Sequence, residues 1–577
     1  MIPRLLAGLS AVPVLLPLFA LVAVAAHGSG DLWPHLLRFV LPQALTETLV
    51  LLGGVGLFVV LVGTGTAWLT SNYRFPGRRL LCVALVLPLA LPTYVAAYAW
   101  LDVLHPAGPV QTGLRRMLGL TDPRAIPLPE IRSAWGCILV MGLVLYPYVY
   151  MTARIAFLTQ GMEMLRAGRA AGAGGWRLFR RIGLPLARPA IAVGTALALM
   201  EALNDVGASE FLGLRTLTVS VYVTWITRSS LEGAAQIALL LLALVAVVLW
   251  MERWGRRHGG RETATPGRPE LRPLPPLAGW AATLGCALPV MLGCGVPLAY
   301  LCWAASVRVV EFGLPPDLWR WAGNSAMLAG LACACAMPMA LALAFAARLD
   351  GSRRRLGGTL LRLGMMGYAL PGGVAAVGLI VALGQLDALA GLLGRWAPPL
   401  LSGSVAAVVA AYVIRFLAVP AGGLDAAYAR IRRETDWSAR AMGAHDGWLL
   451  RRVHLPLLLP AMAGTALLML LDAMKELPAT LMLRPLNVET LATALYAEAA
   501  RGTYEEGAVA ALALVVIGLP PILLLALATR GGEAARSPRP ETGTGWSRIG
   551  AFIRARPTPP AVPRLVHRPA PRPSPHG

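Results

Sequence analysis

Residues 172–185 read GAGGWRLFRRIGLP and residues 443–456 read GAHDGWLLRRVHLP. In each, a Gly-Ala turn is followed eight residues on by Arg-Arg and four beyond that by Leu-Pro. Gly172, Arg180, Arg181, Leu184 and Pro185 thus recur as Gly443, Arg451, Arg452, Leu455 and Pro456. The spacing does not drift: 443 minus 172 and 455 minus 184 both give 271. It carries into the next apolar segment, where Glu201–Ser209 (EALNDVGAS) aligns with Asp472–Thr480 (DAMKELPAT). A constant offset over that length marks a tandem duplication.

Composition sets the solvent. With 57% hydrophobic and 14% charged residues, a water-soluble chain has nowhere to bury so much apolar surface, whereas a bilayer supplies the place. The seven cysteines sit in or beside apolar runs with no Cys-x-x-Cys pair, and read as small buried hydrophobes. Twelve apolar runs are long enough to cross a hydrocarbon core: about 5–26, 46–70, 80–104, 134–158, 188–211, 233–252, 278–304, 322–347, 362–386, 403–428, 460–483 and 508–529. Lipid leaves each of them no choice but helix. The expectation is an all-α polytopic membrane protein of two tandem six-span halves.

Orientation follows arginine, since Lys475 is the lone lysine. Arginines cluster at Arg74–Arg79, Arg166–Arg181, Arg253–Arg261, Arg353–Arg355, Arg430–Arg452 and in the tail from Arg530. A twelve-span count puts all of these, both repeated turns and both termini on the cytoplasmic side. The loop with Arg115, Arg116, Arg124 and Arg132 falls outside, against the trend. The first span, with Arg4 ahead of it and small residues near Ala25, is read as an uncleaved anchor, with a signal peptide as the alternative. The expected domains are 1–253 (core from about 44), a linker at 254–277, 278–530 (core from about 320) and a basic, Pro-rich tail at 531–577, expected to be disordered. The formal charge of +22 resides largely in the tail and cytoplasmic loops, where it can meet anionic lipid. No aromatic-interleaved basic domain points to nucleic acid.

Each repeated turn reads as two short helices at an angle, the second running from about Trp176 and ending before Pro185. Such a knob, present once per half on the cytoplasmic side, suits docking into two clefts of a symmetric partner.

Both turns resemble the EAA loop of ABC importer permeases, with Gly172 and Gly443 at its glycine and Leu184-Pro185 and Leu455-Pro456 at its end. The opening acid is replaced by Arg166 and Trp437, and Gly168 stands where copy two keeps Ala439. The stretches YAWLDVLHPAGPVQTGLR, LNDVGASEFLGLRTLTVSVYVTW, YVIRFLAV and DAMKELPATLMLRP resemble the fused permeases of ferric iron importers, from about 44 to 529. The resemblance implies a bacterial inner-membrane permease with no catalytic site or cofactor. It also implies two copies of an ATP-binding subunit on the knobs, an extracytoplasmic solute-binding protein, and two states of access. The chain has no GxxxxGK[ST] phosphate loop. Thiamine, phosphonate, polyamine and sulfate permeases share the fold and stay open as alternatives to iron.

Intramembrane charge is costly and tends to face a cavity or partner. Glu201 and Asp205, and again Asp472 and Glu476, are four apart and so expected on one helical face, lining a path that attracts a cation. Their alternative is pairing with Lys475 or Arg415. Arg415, midway along its span, needs an ionic partner. Tyr146, Tyr148 and Tyr150 read as packing aromatics with phenolate contact to iron as the rival. A secondary transporter would lack the docking turns. A membrane enzyme would need a nucleophile or metal cluster, and the eight histidines are scattered, with His445 and His454 in the docking loop.

Overall fold

In hydrocarbon a backbone satisfies its own polar groups only as helix, and helix is what the chain builds. The computed structural model describes residues 2–120, 122, 129–159, 162–257, 271–350, 356–392, 401 and 403–534. Most of the linker, the tail beyond 534, Arg124 and Arg353–Arg355 lie outside the described residues.

The first half runs α1 (Ile2–His27), α2 (Leu32–Asn72), α3 (Arg78–Ala90), α4 (Thr93–Val103), α5 (Pro109–Leu118), α6 (Ala134–Thr159), α7 (Met162–Ala170), α8 (Gly175–Asn204), α9 (Gly207–Phe211), α10 (Leu217–Ile226) and α11 (Leu231–Arg257). The second runs α12 (Pro276–Phe312), α13 (Leu318–Leu349), α14 (Leu356–Met365), α15 (Gly372–Leu392), α16 (Val405–Arg430), α17 (Arg433–Ala441), α18 (Asp446–Met474), α19 (Pro478–Leu483), α20 (Leu491–Arg501) and α21 (Tyr504–Ala534). Among the described residues eleven helices are long and apolar enough to cross a membrane, and α3 with α4, bent by 92°, brings the count to twelve when that pair is taken as one span. The bend falls at Leu91-Pro92. Proline drives the residue before it out of the helical region, and Leu91 is extended at φ −88°, ψ 123°. Leu370 before Pro371 is extended in the same way, between α14 and α15.

The two halves exchange helices. One core gathers buried residues of α2, α3, α4, α6 and α8 with those of α12, α20 and α21. The other gathers α13, α14, α15, α16, α18 and α19 with α1, α10 and α11. Each half therefore sends its first and last spans into the other half's core, and the 253/278 boundary divides the sequence without dividing the packing. A short parallel pair, β1 (Tyr73–Arg74) with β2 (Arg272–Pro273), and the approach of Gly175 to the Tyr73 hydroxyl put the end of α2, the end of the linker and the first repeated turn on one face. Cys302 and Cys335 are exposed on the outer surface of the bundle, not buried as expected.

The knobs differ from their expected shape. Only α7 and α17 are separate short helices. The following segment does not stop before Pro185 or Pro456. It passes through a wide π turn, Phe179–Gly183 or Leu450–His454, straight into the span. The wider turn makes room for a proline ring that would strike the carbonyl four residues back. Gly172 and Gly443 adopt φ of 78° and 87°. In both copies the two residues after the helix close the same cap. Ala173 N donates to Gly168 O (3.0 Å) and Gly172 N to Arg169 O (3.0 Å), matched by Ala444 N to Ala439 O (3.1 Å) and Gly443 N to Arg440 O (2.9 Å).

A Cβ at either glycine would meet nothing within 4 Å, so the requirement is backbone conformation and not space. Substituting Val at Gly443 should cost about 1–2 kcal/mol locally, speeding amide exchange over Ala439–Ala444 by about tenfold, while Asn should cost less. Equal exchange in the Val and Asn variants, read by mass spectrometry, would contradict this account.

Candidate functional site

Four chain breaks meet at one place. Two follow the repeated Ala-Leu-Pro, residues 90–92 and 369–371. The others separate α8 from α9 and α18 from α19. Together they line a cavity of about 90 Å³. All five charged residues expected on a path, Glu201, Asp205, Asp472, Glu476 and Arg415, border it, as does Lys475.

The acids do not share a helical face. α8 ends at Asn204 and Asp205 is extended (φ −83°, ψ 105°); α18 ends at Met474, before Glu476. A helix opened inside a membrane leaves N–H groups that need acceptors, and these acids supply them. Asp205 Oδ1 accepts from Ala208 N at 2.8 Å, and Glu476 Oε1 from Ala479 N at 3.1 Å. Each is a side-chain cap on the short helix that follows.

The second oxygen of each cap is satisfied differently. Asp205 Oδ2 accepts from the Thr93 hydroxyl, whereas Glu476 Oε2 pairs with the Arg415 guanidinium. The position matching Thr93, first after the Leu-Pro break, is Gly372, and the position 271 before Arg415 is Val144. A Cβ on Gly372 would lie 2.4 Å from Glu476 Oε1 and 2.7 Å from Arg415 Nη1. Thr with Val in one copy and Gly with Arg in the other are thus two complementary solutions for one buried carboxylate. Both acids are buried, Asp205 at 7% and Glu476 at 4% exposure.

Glu201 and Asp472 are more open. Glu201 accepts from the Tyr368 hydroxyl at 3.0 Å, and Asp472, with about a third of its side chain exposed, pairs with Lys475 at 2.9 Å. Two further bonds cross between the cores here: Gly372 N donates to Asn204 Oδ1 (2.6 Å) and the Tyr94 hydroxyl to Lys475 O (3.2 Å). Of the three tyrosines, Tyr146 and Tyr150 are buried in packing and Tyr148 borders the cavity. Among the described residues no three His, Cys, Asp or Glu side chains converge to hold a metal ion. Thr93, Tyr368 and Gly372 escaped the sequence reading; the second Ala-Leu-Pro was the signal that could have found them.

Away from the cavity, the repeated turns present an exposed surface. Arg166, Arg180 and Arg181 on the first and Arg451 and Arg452 on the second are exposed, with Trp176, Trp437 and Met442 standing 73%, 63% and 80% exposed. Gly168 fits where a Cβ would meet Ile182 at 2.6 Å, while Ala439 packs buried in copy two.

Comparison with known proteins agrees with this architecture. Residues 59–257 match the family described as binding-protein-dependent transport system inner membrane component. The molybdenum transport system permease protein ModB of Escherichia coli K12 is 32% identical over 216 residues, 36% of this chain and 90% of ModB. The Fe(3+)-transport system permease protein FbpB 2 of Haemophilus influenzae is 23% identical over 522 residues, 89% of this chain and 95% of that protein. The sulfate transport system permease protein CysT of E. coli K12 is 28% identical over 260 residues, 43% and 90% of the two chains. With ModB covered over nine-tenths of its length by 216 residues of this chain, and FbpB 2 by nearly the whole of it, this protein belongs to the ABC transporter permeases of the binding-protein-dependent inner-membrane family, in the fused two-domain form.

Proposed function

We propose that the chain is the permease of an ATP-driven importer that moves a small cation, ferric iron, inward through the cavity between its two cores. The carrying observation is the charge of that cavity: four carboxylates, Glu201, Asp205, Asp472 and Glu476, against two cations, Arg415 and Lys475. Hard oxygen donors suit a hard cation, and the excess of acid opposes an oxyanion. The match to FbpB 2 over nearly the whole chain supports the same reading. The acids have separate tasks. Asp205 and Glu476 hold the short helices in place, and Glu201 and Asp472 face the substrate.

In this reading two copies of an ATP-binding subunit dock on the turns at Gly172 and Gly443, and ATP is hydrolysed in those subunits. A solute-binding protein delivers substrate to the opposite face. Both termini and both turns are cytoplasmic in the bacterial inner membrane, as the arginine distribution requires. The shared face of Tyr73, Gly175 and Arg272 supports that side for the first turn and the linker. The half boundaries at 253 and 278 are retained as sequence domains.

Replacing Glu201 by Gln together with Asp472 by Asn should lower uptake of radiolabelled ferric iron at least about tenfold while expression and thermal stability are kept, since neither residue caps a helix. Uptake of molybdate, sulfate or thiamine by the unmodified transporter, with none of iron, would refute the substrate.

The caps should behave oppositely. Gly372→Ala and Arg415→Met each disturb the Glu476 carboxylate, and breaking a buried pair costs about 3–5 kcal/mol. Thr93→Val removes one hydrogen bond, worth about 1 kcal/mol. Melting temperatures in detergent should therefore fall further for the first two variants than for Thr93→Val; the reverse order would disprove the assignment of caps.

A further inference from the structure

The two docking turns are tied to the membrane domain by different chemistry. In the second, Asp436 on α17 accepts from Arg348 Nε at the end of α13 (2.8 Å, Oδ2) and from His454 Nε2 at the start of α18 (3.0 Å, Oδ1). His454 is fully buried. The other ring nitrogen, Nδ1, is within hydrogen-bond distance of the Tyr428 hydroxyl on α16, at 3.3 Å. Its ring lies edge-on to Phe345 and Tyr428. Arg348 also donates to the carbonyls of Tyr428 and Arg432, each at 3.2 Å. One carboxylate thereby links the docking helix to α13, and through His454 to α16 and α18. Burial alone would raise the Asp436 carboxyl, but the hydrogen bonds from Arg348 and His454 outweigh it and hold the group below its ordinary range.

The first copy cannot make this link. At the positions 271 earlier, Leu165 stands for Asp436, Gly183 for His454 and Phe157 for Tyr428. In its place Arg169 on α7 donates to Asn72 Oδ1 at the end of α2 (3.2 Å), beside an aromatic junction: Trp68 meets Phe157 and Phe179, both with ring centroids 5.2 Å away, and it fills the space where a Cβ on Gly183 would come within 2.6 Å of it.

We propose that Asp436, held between Arg348 and His454, is a positioning residue that passes movement of the second docking turn to α13 and the core around it, while the first turn, which has no carboxylate at that position, is joined to α2 by the Arg169–Asn72 hydrogen bond and the Trp68 junction. Asp436 then serves the second turn alone. This rests on the reading that both turns dock ATP-binding subunits.

The test uses the full transporter reconstituted with its ATP-binding subunit, with cysteines placed at the equivalent exposed positions Ala171 and Met442 for cross-linking to that subunit. In the unmodified chain both should cross-link; if neither does, the docking reading falls and the proposal with it. Asp436→Asn should then lower substrate moved per ATP hydrolysed by about tenfold, the scale of one charge-assisted hydrogen bond. It should weaken the cross-link at position 442 and leave that at 171 intact, and Asp436→Glu should restore most of the ratio. If Asp436→Asn does not assemble, His454→Asn, which leaves the Arg348 pair in place, should show the same one-sided loss. Unchanged coupling with both cross-links intact, equal loss at both turns, or failure of Glu to rescue would overturn the proposal.

Discussion

An unpaired peptide group in hydrocarbon costs several kilocalories per mole, and this chain opens its helices at four points near the middle of the bundle. Every other feature of the site follows from how those openings are satisfied. Two follow a Leu-Pro step, where proline has no N–H to lose and forces the residue before it into extended backbone. The other two are satisfied by carboxylates that turn back onto the short helices α9 and α19. Irregular backbone at this depth is tolerated only where it is buried in protein or lines a cavity; here the breaks border one, and the residues that repair the backbone also give it charge.

The duplication shows what that repair demands, because one chain holds two answers to it. A capping carboxylate has one oxygen left over, and a buried charge needs a partner. Thr93 supplies a hydroxyl from the adjacent helix in the first half. In the second that side chain is gone at Gly372, and its space admits the Arg415 guanidinium, which the first half replaces with Val144. The repeated turns follow the same pattern, with Gly183 against an aromatic junction in one copy and Asp436 with His454 in the other. In both places the geometry is duplicated while the chemistry has diverged in compensating pairs.

The sequence was most legible where one physical rule dominates. Apolar runs located the spans, and the offset of 271 located the turns and the acids. The pattern marked Gly172 and Gly443 as turns, and their left-handed backbone appears only in the structure. The readings that failed needed a rule from another level. Four-residue spacing suggested a shared helical face for Glu201 and Asp205, and it could not reveal that the helix ends at Asn204, since nothing in EALNDVGAS breaks a helix as strongly as Pro478 does in the second copy. The π turns before Pro185 and Pro456 depend on the span continuing through them, which local sequence does not state. The exchange of first and last spans between cores is invisible in the repeat, because a repeat says what resembles what and not what touches what. His454 was placed in the docking loop, whereas it lies inside α18, and its burial beside Asp436 depends on tertiary packing that local sequence does not state.

The arrangement of partners around the cavity distinguishes the acids when the two cores move relative to one another. Asp205 and Thr93 belong to one core, Glu476 and Arg415 to the other, so both caps travel intact with the helices they stabilise. Glu201 is held by Tyr368, and Asn204 by the Gly372 amide, across the boundary between cores. A rotation that parts the cores therefore releases Glu201 and Asn204 first and leaves the repaired backbone breaks untouched. The costly charges remain satisfied in either state, and the carboxylate that loses its partner is one that borders the open space. That is the condition under which an acidic cavity can change its affinity for a cation without unfolding the helices that form it.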